Sequence, residues 1–252
     1  MIRLQHLPKP TELTDEVEQE LTARYKKDDT SVWKKPYIIK ALLKMSTNKC
    51  CYCECNITTE SNYLEVEHFH PKSLYPDKVV VWENLLPSCK RCNGTKGDHD
   101  TQKEAIVHPV RDNPKSHLTL KAYRLYPKTD LGQMTINVVN LNDRTRLVKK
   151  RFKIGVELCD ELENLLELIT EYDNGTSTST RRRNRIVETL RNLMKEGTRQ
   201  SDFSATAATV ILHEKSYSQI KQLLNNNNLW NNELNDLEKE VEFCALDVED
   251  NE

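Results

Sequence analysis

Two cysteine pairs with one spacing, Cys50-Cys51-Tyr52-Cys53 and Cys89-Lys90-Arg91-Cys92, stand out in the sequence. A C-x-x-C turn lets two thiolates reach one tetrahedral Zn²⁺, so two such turns make a closed four-thiolate site with no open coordination position. A zinc held in this way, by Cys50, Cys53, Cys89 and Cys92, is structural and ties together the two ends of the segment between them. Cys51 with Cys55 offers a second chelating spacing, but only Cys50 with Cys53 mirrors the downstream pair. Between the pairs, Tyr63-Leu64-Glu65-Val66-Glu67-His68-Phe69-His70-Pro71 reads as a short strand that delivers an acid next to an imidazole and breaks at the proline. An imidazole with an ordinary pKa of about 6.5 can be a neutral base at cellular pH and take a proton from water. His70, between Phe69 and Pro71, is either an extra ligand or a packed, hydrogen-bonded histidine. Asp98, His99 and Asp100 are either a further ligand cluster or an exposed turn.

The elements that must position these groups are mostly helical. Val17, Leu21 and Arg24/Tyr25, then Ile38, Ile39, Leu42 and Leu43, follow amphipathic helical spacing, with Pro36 suited to the first turn of the second helix. From Lys49 to about Asp100 that periodicity is lost and Cys, His, Asn, Pro and Gly accumulate. Leu118 to Tyr126 and Met134 to Val139 read as two β segments joined through Pro127 to Gln133, a hairpin. Leu158, Leu162, Leu165 and Ile169 mark one later helix face, and Ile186, Leu190, Leu193 and Met194 another. Asp173 to Thr180 and Asn225 to Asn228 read as polar connectors. The expected organisation is an N-terminal helical segment (1–48), a cysteine-bearing core (49–110), a β-hairpin extension (111–143) and a C-terminal helical region with an acidic tail (144–252).

Composition limits the function classes. The 252 residues are 37% hydrophobic and 30% charged, with only six glycines, as in a helix-rich globular protein rather than a disordered, collagenous or membrane chain. No apolar run is long enough to span a bilayer, and Met1 to Pro10 has no secretory pattern, so a reducing cytoplasm and no membrane partner are expected. In that compartment eight cysteines need an explanation other than disulfides. The net charge of −2 conceals segregation. Residues 144–153 carry six cations and no acid, 181–199 carry seven cations against Glu188 and Glu196, and 233–252 carry nine acids against Lys239 alone. The basic runs are either phosphate contacts or solvated helix faces. The acidic run would dock on a basic partner or shield a basic groove.

The order Glu67-His68, then Asn84-Leu85, then Cys89-x-x-Cys92-Asn93-x-x-Lys96 resembles the HNH (ββα-metal) endonucleases in their zinc-bearing form. The resemblance implies an α+β fold in which a zinc-stapled ββα-metal core is embedded in a mostly helical chain with a β-hairpin. It implies hydrolysis of nucleic-acid phosphodiester bonds, with His68 as the base that activates water. Glu67 and Asn93 would hold a catalytic Mg²⁺ or Mn²⁺, Asn84 would orient the loop and the His68 ring, and Lys96 would contact phosphate. More narrowly, His108-Pro109, Asp112-Asn113-Pro114, the stretch Gly132 to Asn142 and the run Leu147 to Arg151 resemble PtuB-type HNH proteins of Septu and some retron anti-phage systems. That likeness implies a toxic nuclease working with a PtuA-type ATPase and, in retron contexts, with a reverse transcriptase and its RNA/DNA hybrid. Its substrate would be DNA or tRNA, with DNA the default because an external water does not need a 2′-hydroxyl. The alternative is a non-catalytic zinc-stapled scaffold or binding module, which needs the cysteines but has no use for Glu67, His68, Asn84, Asn93 and Lys96 in this order.

Overall fold

The computed structural model describes residues 1–59 and 62–248. It divides into two compact units, Met1–Leu118 with Tyr126–Leu141, and Thr119–Leu125 with Asn142–Glu252.

In the first unit, α1 (Asp15–Asp28) starts at Thr14, whose hydroxyl accepts from the Val17 amide. Acids fill its first turn and Lys26 and Lys27 its last, matching the helix dipole. The helix α2 (Pro36–Ser46) has its proline at the first turn, where no amide is needed, and buries Ile38, Leu42 and Met45. Both helices fall where their periodicity places them. After a cysteine-rich turn come β1 (Thr58–Thr59), β2 (Asn62–His68) and β3 (Leu85–Cys89), then α3 (Lys90–Lys96). The strands β2 and β3 are antiparallel, with Glu65 opposite Ser88 and His68 opposite Leu85. The β2–β3 pair followed by α3 is the ββα unit. Behind it, Leu13, Leu21, Trp33, Ile38, Leu42, Val66, Val80, Trp82 and Leu85 form one apolar core.

The hairpin is present but shifted. Leu118 to Pro127 is itself the hairpin, β4 (Leu118–Lys121) and β5 (Arg124–Pro127), turning through Ala122 and Tyr123, which both have positive φ (45° and 62°). Met134 to Val139, expected as a strand, lies in α4 (Asp130–Val139). Thr129 caps that helix by accepting from the Gly132 amide, and the buried set Gly132, Thr135, Ile136 and Val139 has helical, not alternating, spacing. The β-branched run had suggested a strand, but the cap and the burial stripe decide for helix.

The second unit is a helical bundle: α5 (Lys149–Asp173), α6 (Thr180–Glu196), α7 (Ser204–His213), α8 (Lys215–Asn226) and α9 (Asn232–Cys244). A π-helical turn, Arg144–Val148, leads into α5, which packs on α6, α7 and α8. The short β6 (Asp247–Val248) pairs in parallel with β4. The acids of α9 meet the bundle's own cations: Arg191 pairs with Glu233 at 3.0 Å, Arg199 with Glu240 at 2.5 Å and Lys221 with Glu238 at 2.6 Å. Three acids of the run are therefore spent inside this unit. Among the described residues no helix is long and apolar enough to cross a membrane.

Candidate active site

The segment Cys50 to Ile57 forms a knuckle. The Cys50 amide donates to the Cys55 carbonyl at 2.9 Å and the Glu54 amide to the Cys50 carbonyl at 3.0 Å, with Glu54 at φ 65°. This turn aims Cys50 and Cys53 inward, while the end of β3 and the first turn of α3 supply Cys89 and Cys92. The four sulfurs lie within 4.8 Å of one another and all four residues are buried. Zinc–sulfur bonds of about 2.3 Å in a tetrahedron set sulfurs about 3.8 Å apart, and Cys53 Sγ is 3.8 Å from Cys89 Sγ. The donor set and spacing fit a tetrahedral Zn²⁺. The Cys92 amide donates to Cys89 Sγ at 3.4 Å and Arg91 Nη2 to Cys92 Sγ at 3.1 Å, donors that suit thiolates. Cys51 is outside this group of four, and Cys55 lies beside it, 3.4 Å from Cys53 Sγ.

His68 ends β2 with its ring buried, 7% exposed. Its Nε2 lies 2.9 Å from the Val79 carbonyl, which can only accept, so the proton sits on Nε2 and Nδ1 is left as the acceptor. Trp33 fixes the ring plane edge to face, centroids 4.8 Å apart at 88°. Burial pushes the His68 pKa down to about 3, so the ring is neutral near pH 7.

Asn84 staples the chain around this histidine. Its Oδ1 accepts from the His70 amide at 2.8 Å, and its Nδ2 donates to the His70 and Lys78 carbonyls at 3.1 and 3.0 Å. One buried amide thus joins the turn after β2 to the turn before β3. His70 packs on Phe69 and shares a 2.7 Å hydrogen bond with Thr101. Asp98 and Asp100 accept from Ser73 and Tyr75, at 2.9 and 2.6 Å.

The two carboxylates of β2 point toward α3 but meet different partners. Glu67 is 1% exposed, 2.7 Å from Lys96 Nζ, and accepts from the Tyr52 hydroxyl at 3.4 Å. Burial lifts its pKa to about 7, against the pull of the Lys96 ammonium. Lys96 is buried as well and donates to the His68 carbonyl at 3.0 Å, so it anchors the strand end rather than offering a surface cation to phosphate. Asn93 turns instead to Glu65: its Nδ2 is 2.6 Å from Glu65 Oε2. The structure therefore brings Asn93 together with Glu65 and not with Glu67.

A cavity of about 340 Å³ runs along β2, lined by Leu64, Glu65, Val66, His68, Asn93 and Trp33, with Lys34 and Lys72 also on its wall. Neighbouring residues of a strand share one cavity only along its edge, and β1 pairs with β2 only as far as Tyr63. Lys72 lies over the Trp33 ring at 5.2 Å, a cation beside the imidazole. Linear spacing passed over Glu65. The signal available was parity: Glu65 shares the Glu67 face of the strand, and Asn93 lies one turn of α3 before Lys96, the partner of Glu67.

Residues 50–99 match the HNH endonuclease family. Over 92% of its length the chain is 42% identical to a Septu protein PtuB of Bacillus thuringiensis, covering 90% of that protein. The chain belongs to the PtuB family. A second PtuB, from Bacillus mycoides (strain KBAB4), is 28% identical over 52% of this chain and 58% of its own length. The HNH match spans the ββα unit and both cysteine pairs, so within this PtuB member the family's nuclease module coincides with the knuckle, the cavity and His68.

Proposed function

We propose that this chain is a metal-dependent endonuclease that hydrolyses nucleic-acid phosphodiester bonds, DNA before RNA, as the toxic effector of a Septu anti-phage system working with an ATPase partner. The observation that carries the reading is a neutral, rigidly held imidazole sharing a cavity with a carboxylate–amide pair, Glu65 and Asn93.

His68 is the base: with Nε2–H committed to Val79, Nδ1 takes the proton of a water in the cavity. Trp33 and the Asn84 staple hold the ring so that little reorganisation precedes the transfer. Glu65 Oε and Asn93 Oδ1 are hard oxygen donors on the cavity wall and suit Mg²⁺ or Mn²⁺, with room for further oxygens in its 340 Å³. Such a cation would supply positive charge to the phosphate as negative charge builds on it. Lys72 lies on the same wall and adds a second positive charge for a phosphate oxygen. Glu67 and Lys96 hold the end of β2 in place behind His68.

The test is cleavage of plasmid DNA and of total tRNA in Mg²⁺ or Mn²⁺, with and without the ATPase partner. His68→Ala and Glu65→Gln are each expected to lower the rate by 10²-fold or more, roughly the range for losing a general base, with zinc content unchanged. Equal cutting by His68→Ala would sink the assignment of the base. Full activity in Glu65→Gln together with its loss in a folded Glu67→Gln would return the metal to Glu67.

A further inference from the structure

The second unit carries a surface that the cleavage site does not use. From Arg144 to Val156 there is no acid. The side chains of Arg144, Arg146, Lys149, Lys150 and Lys153 are exposed there. Among the described residues only Lys153 has an ion-pair partner, Glu157 at 3.6 Å on an exposed face. Arg144 and Arg146 open the helical run that continues into α5, its positive end, where the helix dipole disfavours cations, and Lys149, Lys150 and Lys153 follow before any acid. Helix stability does not account for them.

Phe152 lies in their midst, 54% exposed, with Val156 one turn on at 37%. The ring is not loose. Tyr123, in the left-handed turn between β4 and β5, meets it edge to face at 5.4 Å and 90°. Tyr123 fits because residue 155 is glycine: a Cβ there would stand 2.0 Å from Tyr123 Cε1. The backbone of α5 is thus cleared for a tyrosine that braces a solvent-facing phenylalanine, with Lys149 one turn before it and Lys153 beside it in sequence.

We propose that this surface binds single-stranded nucleic acid, with the exposed cations on consecutive phosphates and Phe152 stacked on a base. The charge favours phosphate over a protein partner, since lysine is depleted in protein interfaces. A braced aromatic among cations is the usual platform for an unpaired strand. A base within a duplex has no free face to offer it.

The experiment is fluorescence anisotropy of a labelled oligothymidylate, and of a duplex of equal length, with the full chain carrying His68→Ala so that nothing is cut. Phe152→Ala and Phe152→Leu are both expected to weaken single-strand binding by roughly 5- to 100-fold, and Phe152→Tyr to retain it. Lys149→Gln with Lys153→Gln should reduce the slope of log K against log salt by about 1.4, two phosphate contacts' worth. Single-strand binding that survives Phe152→Ala and the double lysine change would overturn the proposal. So would competition by polyglutamate at the strength of the oligonucleotide, which would assign the surface to an acidic protein partner.

Discussion

Glu65 and Glu67 leave β2 on the same side, two residues apart, and meet different surroundings. Glu67 is enclosed with Lys96 and Tyr52, while Glu65 stays at the cavity beside Asn93. Linear order favours Glu67 because it adjoins His68. Which carboxylate keeps access to water depends on how far Lys96 reaches back from α3, and no spacing rule carries that. The grouping of Cys50, Cys53, Cys89 and Cys92 was readable because turn spacing defines it. The buried pair makes a prediction of its own. Lys96→Met leaves the Glu67 carboxylate buried without its cation and should cost about 3–5 kcal/mol in denaturant unfolding. A loss below about 1 kcal/mol would mean that Glu67 takes up a proton once its cation is gone, the escape that its pKa of about 7 leaves open.

At the scale of elements, α3 starts at Cys89, whose sulfur caps it by accepting from the Cys92 amide, and both cysteines belong to the four-cysteine cluster that suits zinc. Cys92→Ser should therefore release zinc and unfold the β3–α3 corner, whereas Cys51→Ser should keep the metal. Zinc content of the purified variants, read beside far-UV circular dichroism, tests both, and full zinc in Cys92→Ser would refute the four-cysteine assignment. The helix α4 was misread because Met134 to Val139 is rich in strand-favouring residues, while its cap, Thr129, precedes the run. The helix α7 escaped notice for another reason. It is buried nearly all round, from Ser204 to Thr209, so it has no polar face and no period to detect. The start of α4 has its own weak point: a Cβ on Gly132 would lie 2.0 Å from the His117 carbonyl oxygen. Gly132→Ala should destabilise by at least 1–3 kcal/mol, roughly the cost of overpacking, and an unchanged melting temperature would show that the helix start can shift.

For the whole molecule, acid is the expected vulnerability. His108 is buried against Phe69, and its Nδ1 accepts the Val110 and Arg111 amides at 3.2 and 3.3 Å. A proton on that nitrogen would face two donors. Burial, with Arg111 nearby, lowers its pKa from 6.5 to about 4. The folded state then binds its proton later than the unfolded chain, so stability is complete above pH 6.5 and falls as the pH drops toward 4, by ~3 kcal/mol for this group alone. His68, shifted to about 3, acts in the same direction. Glu67, raised from 4.5 to about 7, acts in the opposite one, losing stability as the pH rises through 7. His108→Asn keeps an acceptor near the Nδ1 position and does not titrate, so its melting temperature should fall less between pH 7 and 5 than that of the unmodified protein. Parallel curves would remove His108 from the account.

The path of the chain adds a last consequence. It leaves the first unit after Leu118, supplies seven residues to the second, returns at Tyr126 and departs again only after Leu141. During synthesis the unit that holds the HNH match is therefore incomplete until α4 has emerged, although every residue of its four-cysteine cluster and cavity was translated long before. A chain released between Lys96 and Leu141 carries the cysteine cluster and the cavity residues without the finished fold around them, and no single cut in the polypeptide yields both units whole.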